Sequence, residues 1–331
     1  KALLAGENGI TKITIFDTTD HSTKIAGEIK GFDPEEVLEK KQVKRIPRFI
    51  QYALKTAKEA VAMSGIDGPA VNKDRVAVII GSGIGGLNVM EEQQTILMQK
   101  GAKRVSPFLI PMLIPNMAGA YVSMKYGFRG PNFTIVTACA TSTHSIGEAA
   151  KLIIRGDAEA AVTGGVEGAL TPLGLAGFCS AKSLSERNDD PEHASRPFDK
   201  DRDGFIMSDG GGLLVLEELE HAKKRGAKIY AEYAGYGASD DAYHITAPPE
   251  NGEGGALSMS NALKDARIKP EDISYINAHG TSTLLNDRAE TRAIKAVFGS
   301  HAAKIPISST KSMTGHMLGG TGAVEAITCI M

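Results

Sequence analysis

The chain alternates two hydrophobic periodicities. From Ile46 to Met63 apolar residues recur every three or four positions, with Ile46, Phe49, Ile50, Ala53, Leu54, Ala57, Ala60 and Val61 on one face. Gly65 stands where a left-handed cap ends such a helix. Arg75–Ile80 has the short apolar run of a buried strand, and a helical pattern follows from Leu87 to Gln99. Phe133–Thr137 predicts another strand, after which Ile146, Ala149, Ala150, Ile153 and Ile154 repeat at helical spacing up to a stop at Gly156. Beyond it, strands are predicted at Ala160–Gly164, Gly212–Glu217, Ile229–Gly237, Ser274–Asn277 and Ile305–Ser308. Helices are predicted from Thr171-Pro172, over Glu220–Arg225, Gly254–Ala266 and Asp287–Phe298, and from near Gly322. Ser183–Ser208 is a long polar loop, and the first thirty residues are short strand-like pieces and turns. Strands alternating with helices predict an α/β fold with largely buried sheets between helical layers.

Composition narrows the picture. The 331 residues suffice for one large domain or two of ordinary size, and the net charge of -2 supplies no global field to recruit nucleic acid or a membrane. Three cysteines, Cys139, Cys179 and Cys329, form no CxxC pair; an odd, scattered set is unlike a disulfide framework and points to a reducing compartment. The apolar stretch Phe108–Met117 is broken by Pro111 and Pro115, so no spanning segment is predicted, and no secretory signal is visible. The chain starts without an initiator methionine and stops inside the helical pattern Ala323–Met331, as expected of a piece of a longer protein.

Two short motifs fail on context. Gly81-Ser82-Gly83-Ile84-Gly85-Gly86 fits GxGxxG after a strand, but no carboxylate ends a second strand about twenty residues on, as dinucleotide binding requires. These glycines instead allow backbone or substrate to approach closely. Asp199-Lys200-Asp201-Arg202-Asp203-Gly204 opens like a calcium loop, yet the closing glutamate position holds Gly210.

Candidate chemistry starts at Cys139, in the turn Ala138-Cys139-Ala140 between a predicted strand and helix. Unpaired amides and the dipole at a helix N-terminus favour a thiolate there and can bind an oxyanion. A small buried cysteine is the alternative reading. Ala138–Thr143 and Ala278–Thr283 share the pattern A-[CH]-[AG]-T-S-T, 140 residues apart, each between a short strand and a helix. Duplication is the expectation. Two halves related by a pseudo-twofold axis would bring Cys139 and His279 to one pocket, a nucleophile beside an imidazole. His316 lies between Gly315 and Gly319-Gly320, after a strand and Lys311, which marks it as a further candidate. Lys41, Lys44 and Arg45 share one side if the Ile46 helix extends back; by itself this reads as a solvated basic face.

At Thr137–Ser142, Asn277–Thr283 and Ser309–His316, with Ser195–Asp199 and Asp203–Phe205 in support, the chain closely resembles the beta-ketoacyl-acyl-carrier-protein synthases of the elongating synthase II type. The resemblance covers nearly the whole chain. It implies a thiolase-like duplicated fold, layered α-β-α-β-α with two mixed sheets, with an N-terminal half at 1–229 carrying the nucleophile and a C-terminal half at 230–331. It also implies a homodimer, in a bacterial cytoplasm or an organellar stroma or matrix. The implied reaction is a decarboxylating Claisen condensation: an acyl group passes from acyl carrier protein to Cys139, and malonyl-carrier protein then loses carbon dioxide and attacks it. A non-catalytic or polyketide-type subunit of the same fold is the alternative, against which Cys139, His279 and His316 stand together. The first strand and the glycine-rich C-terminal loop of the family fall outside this sequence.

By the same resemblance, Lys311 and Glu325 are paired charges ordering the histidine region, Thr281 and Thr283 bind the pantetheine arm, and Ile84 and Phe178 line the acyl pocket. Lys41, Lys44, Arg45, Lys103, Arg104 and Lys182 match a basic patch for the acidic carrier protein. No cofactor is implied, since the substrates carry phosphopantetheine, and nothing in the spacing of Cys139, His279 and His316 is zinc-like. The chemistry agrees: decarboxylation puts negative charge on a thioester oxygen, and each of two neutral imidazoles can donate one N–H there. A donor of this kind is worth roughly 10²–10³ in rate.

Overall fold

The computed structural model describes residues 1–331 and divides into two compact units that interleave along the chain. One comprises residues 1–28, 175–208 and 233–316; the other comprises 29–174, 209–232 and 317–331.

The second of these is built on a four-stranded sheet in the order Asn132–Phe133, Val76–Gly81, Ala160–Glu167, Gly210–Glu217. The first three strands are parallel and the last is antiparallel. Alternation decides which core each residue joins. Val76, Val78 and Ile80 face the helix Arg48–Ser64, where Phe49, Ile50, Ala53, Ala57 and Val61 are buried, and the helix Met117–Tyr126. Ala77 and Ile79 face the opposite way, against Ala149 and Leu152 of the helix Thr141–Ile154. Both faces are covered, which is why these strands read as unbroken apolar runs. Burying a side chain such as Phe49 contributes about 1.5–3 kcal/mol.

The Arg48–Ser64 helix begins two residues later than its periodicity predicts, because Pro47 is its extended N-cap; Gly65, at φ 64°, closes it by donating to the Val61 carbonyl. Lys40–Val43 forms a separate short helix, so the basic residues before Pro47 do not continue the long one. Of the predicted strand Phe133–Thr137, only Phe133 is laddered, in the pair Asn132–Phe133. It lies at the sheet edge, and past it Thr134 bonds the Ile80 carbonyl through its hydroxyl instead.

The other unit pairs Thr11–Lys12 antiparallel with Ile25–Ala26 and Ile276–Asn277 parallel with Ile307–Ser308. The helices Glu253–Ala266 and Leu284–Phe298 pack with the second pair through Met259, Leu263, Ile273, Ile276, Ile294, Phe298 and Ile305. The strand predicted at Ile229–Gly237 is absent. At its end helix side chains take backbone groups that a neighbouring strand would use: Tyr236 N–H donates to Asp265 and Ser258 to the Gly237 carbonyl, with Asn261 donating to the Ala238 carbonyl just beyond. No helix is long and apolar enough to cross a membrane.

Candidate active site

His279 follows the short strand Ile276–Asn277, and His316 is held at backbone level against the segment Ile206–Ser208. The His316 N–H donates to the Ile206 carbonyl at 2.7 Å, and its carbonyl accepts from Ser208 N–H at 3.0 Å. The two imidazoles meet edge to face, centroids 5.4 Å apart at 83°. Phe205 stands edge-on to His316 at 5.4 Å and Phe178 edge-on to Phe205 at 5.3 Å, giving the pair an aromatic flank. Lys311, only 1 % exposed, directs its ammonium to the His279 carbonyl at 2.6 Å. The Glu290 carboxylate accepts the N–H groups of His279 and Gly280, both at 2.7 Å, and the Lys311 charge acts on it favourably. Ser309 bonds the Gly280 carbonyl at 2.7 Å.

This environment sets the protonation of the pair. His279 keeps some exposed surface, but its ring is surrounded by protein; burial first and the Lys311 charge second bring it from 6.5 down to about 3. Burial, His279 and Lys311 hold His316 well below the ordinary histidine range. Both rings are therefore neutral at physiological pH, each with one N–H to donate. Thr281 and Thr283 lie just beyond His279, their hydroxyls 2.9 Å apart.

Cys139 lies in the other unit, in the 3₁₀ turn Ala138–Ala140 that leads into the helix Thr141–Ile154. Ala138 takes a left-handed φ of 50°, a sharp bend that presents the next residue at the head of the helix. Ser142 anchors the helix start by accepting the Ala323 N–H at 2.9 Å. Next to this turn runs Ser82-Gly83-Ile84, and Glu167 at the end of the central strand binds all three residues. Burial raises the Glu167 carboxyl above the ordinary glutamate range while its donors pull the other way. Glu325 is on the helix Thr321–Ile330 in the same unit as Cys139, and Lys311 is in the unit of the histidines.

Of the basic residues, Lys41, Lys44, Arg45, Lys103, Arg104 and Lys182 are all exposed. Lys41 pairs with Glu39 at 2.7 Å, and Lys44, Arg45 and Arg48 line a cleft of about 600 Å³ whose apolar wall includes Ile46, Val89, Leu109 and Met112. Sequence reasoning missed Glu290 and Glu167. Glu290 reads as a surface charge on a helix; Glu167, a lone acid in the run Val162–Leu170, carried a signal in being the single charge of an otherwise apolar and small-residue segment.

Family models match the chain along both parts: Beta-ketoacyl synthase, N-terminal domain, over residues 1–222 and Beta-ketoacyl synthase, C-terminal domain, over 230–331. The chain belongs to the beta-ketoacyl synthase family. This ketoacyl synthase is 53 % identical over its full length to the 3-oxoacyl-[acyl-carrier-protein] synthase 2 of Synechocystis and 54 % identical to that of Vibrio cholerae, spanning 80 % of each relative. Among solved structures, a beta-ketoacyl synthase from Burkholderia phymatum matches 99 % of this chain and 80 % of its own, with TM-score 0.91 and 34 % identity. A ketosynthase in complex with its type II polyketide acyl-carrier protein matches at TM-score 0.89, also with 34 % identity, covering 99 % of this chain and 79 % of that one. The synthase fold expected of the chain is thus present, and its identity to the synthase 2 relatives exceeds that to the polyketide ketosynthases. It is a condensing enzyme of the synthase 2 kind and retains Cys139, His279 and His316.

Proposed function

We propose that this ketoacyl synthase extends an acyl chain by two carbons on acyl carrier protein, with Cys139 as acyl acceptor and His279 and His316 as decarboxylation donors. The Cys139 thiolate attacks an acyl thioester, forming a new thioester as the carrier thiol leaves with a proton. Malonyl-carrier protein then loses carbon dioxide, and the bonding pair passes into an enolate whose oxygen accepts N–H bonds from both imidazoles. The enolate carbon attacks the acyl carbon on Cys139, forming the carbon–carbon bond and releasing the thiolate. The reading requires Cys139 to share a cavity with the imidazole pair, with Thr281 and Thr283 along the pantetheine arm.

The observation that carries this reading is the neutral, mutually packed pair His279–His316, in which Lys311 and Glu290 hold the backbone of His279. Neutral donors stabilise a developing oxyanion without first attracting the malonate carboxylate, which has to leave uncharged as carbon dioxide. The carrier protein docks on the exposed basic residues around the Lys44–Arg45–Arg48 cleft; that a similar ketosynthase forms a complex with its carrier protein supports a carrier partner. A second copy extends the sheet past the exposed edge at Asn132–Phe133, making a homodimer. No cofactor or metal takes part beyond the phosphopantetheine that substrates bring, and the enzyme works in a bacterial cytoplasm or an organellar stroma or matrix. In the test, Cys139→Ala abolishes condensation while radiolabelled carbon dioxide is still released from malonyl-carrier protein. Loss of both activities to the same extent contradicts the division of roles.

A further inference from the structure

Glu167 is a fully buried acid that the reaction above does not use. One of its oxygens accepts the Ser82 hydroxyl at 2.9 Å and the Ile84 N–H at 3.1 Å; the other accepts the Gly83 N–H at 2.8 Å and the Gly319 N–H at 3.0 Å. Ser82 in turn accepts the Gly85 N–H at 3.1 Å, so the carboxylate organises the whole turn after the strand Val76–Gly81. A carboxylate has lone pairs for all four donors, and no neutral side chain of this length does.

The two segments so joined are far apart in sequence and both border the nucleophile turn. A methyl group at Gly83 or at Gly319 would stand 2.7 Å from the carboxylate, and the one at Gly83 would also lie 3.8 Å from the Ala138 carbonyl oxygen. Close approach to Glu167 therefore requires glycine at both points. Gly83 and Ile84 are only half-buried, so this turn keeps some exposed surface close to the Ala138–Ala140 turn. An acyl chain attached to Cys139 would run along a wall that Glu167 holds in place.

We propose that Glu167 is a positioning residue for acyl-chain selection: by gathering the amides of Gly83, Ile84 and Gly319 around one buried carboxylate, it fixes the wall against which the acyl group on Cys139 lies. This rests on Cys139 being the acyl acceptor. A long chain touches more of that wall than a short one, so loosening the clamp selects against long chains. A purely structural role would lower uptake of all chains alike.

The experiment measures acylation of Cys139 by intact mass, with acyl carrier protein loaded with either a hexanoyl or a hexadecanoyl group. It compares wild type, Glu167→Gln and the milder Ser82→Ala, which removes a single donor and decides the matter if the glutamine variant does not fold. Glu167→Gln sets an N–H₂ group against backbone N–H donors, and the hexadecanoyl-to-hexanoyl rate ratio should fall by about tenfold or more. Ser82→Ala should lower it by about threefold. An unchanged or inverted ratio in the folded variants, while wild type accepts both groups, overturns the inference alone. A wild type that takes up neither group overturns it together with the assignment of Cys139.

Discussion

The Glu290 carboxylate holds the backbone of His279, taking its N–H at 2.7 Å together with that of Gly280. A histidine that must present a ring N–H in one direction is thus oriented through its main chain. Burial pushes the Glu290 carboxyl up against the pull of these two bonds and of Lys311. Glu290→Ala leaves two backbone donors without their acceptor, each worth about 1–3 kcal/mol when buried. The variant should lose about 2–6 kcal/mol in urea denaturation, and decarboxylation should fall more steeply than Cys139 acylation. A loss in acylation as large as that in decarboxylation contradicts a role specific to His279.

Lys311 acts on the same residue from its carbonyl side at 2.6 Å. Lys311→Ala should lower carbon dioxide release by about tenfold or more while acylation of Cys139 persists. His279→Ala or His316→Ala should each lower release by roughly 10²–10³. Labelled malonyl-carrier protein measures both, and full release in either histidine variant removes the oxyanion role.

The depressed histidines also fix a pH dependence. An imidazole that stays neutral in the fold, brought from 6.5 to about 3 for His279, takes up its proton first in the unfolded chain. The unfolded state then binds more protons, so stability is fully present above pH 6.5 and is lost as pH falls toward 3, by about 1.4 kcal/mol per pH unit for each fully contributing ring. Urea midpoints between pH 7 and 5 should decline, and His316→Gln should flatten the decline. A decline just as steep in that variant contradicts the assignment to His316.

Much of the fold was legible because its core helices and strands keep clean periods. The Arg48–Ser64 helix and the strands Val76–Gly81 and Ala160–Glu167 lie within a few residues of their predicted positions. Cys139 at the head of a helix was legible for the same reason, although the strand before it is laddered only at Phe133. The strand expected at Ile229–Gly237 fails at its end, where Asp265 takes the Tyr236 N–H and Ser258 the Gly237 carbonyl, groups that a strand would have used, a tertiary fact invisible in the local pattern. Glu167 and Glu290 were hidden for a related reason. Their partners are mostly backbone amides, which carry no residue identity for a sequence to display; the Ser82 hydroxyl on Glu167 is a side-chain partner 85 residues away.

The exposed basic residues predict a selective effect. Reversing charge at Lys44 and Arg45, which line the cleft beside Arg48, should raise the apparent KM for carrier-protein substrates by about tenfold or more, with little change for small thioester mimics. Added salt should shrink the difference, because exposed charges are screened. Equal effects on both substrate types contradict a docking role.

The central claim is that one sulfur carries the growing chain. Intact-mass spectrometry after incubation with acyl-carrier protein should show a single added acyl group, mapped by peptide analysis to Cys139 and absent from Cys139→Ala. No adduct, or an adduct on Cys179 or Cys329 that survives this substitution, would contradict the account.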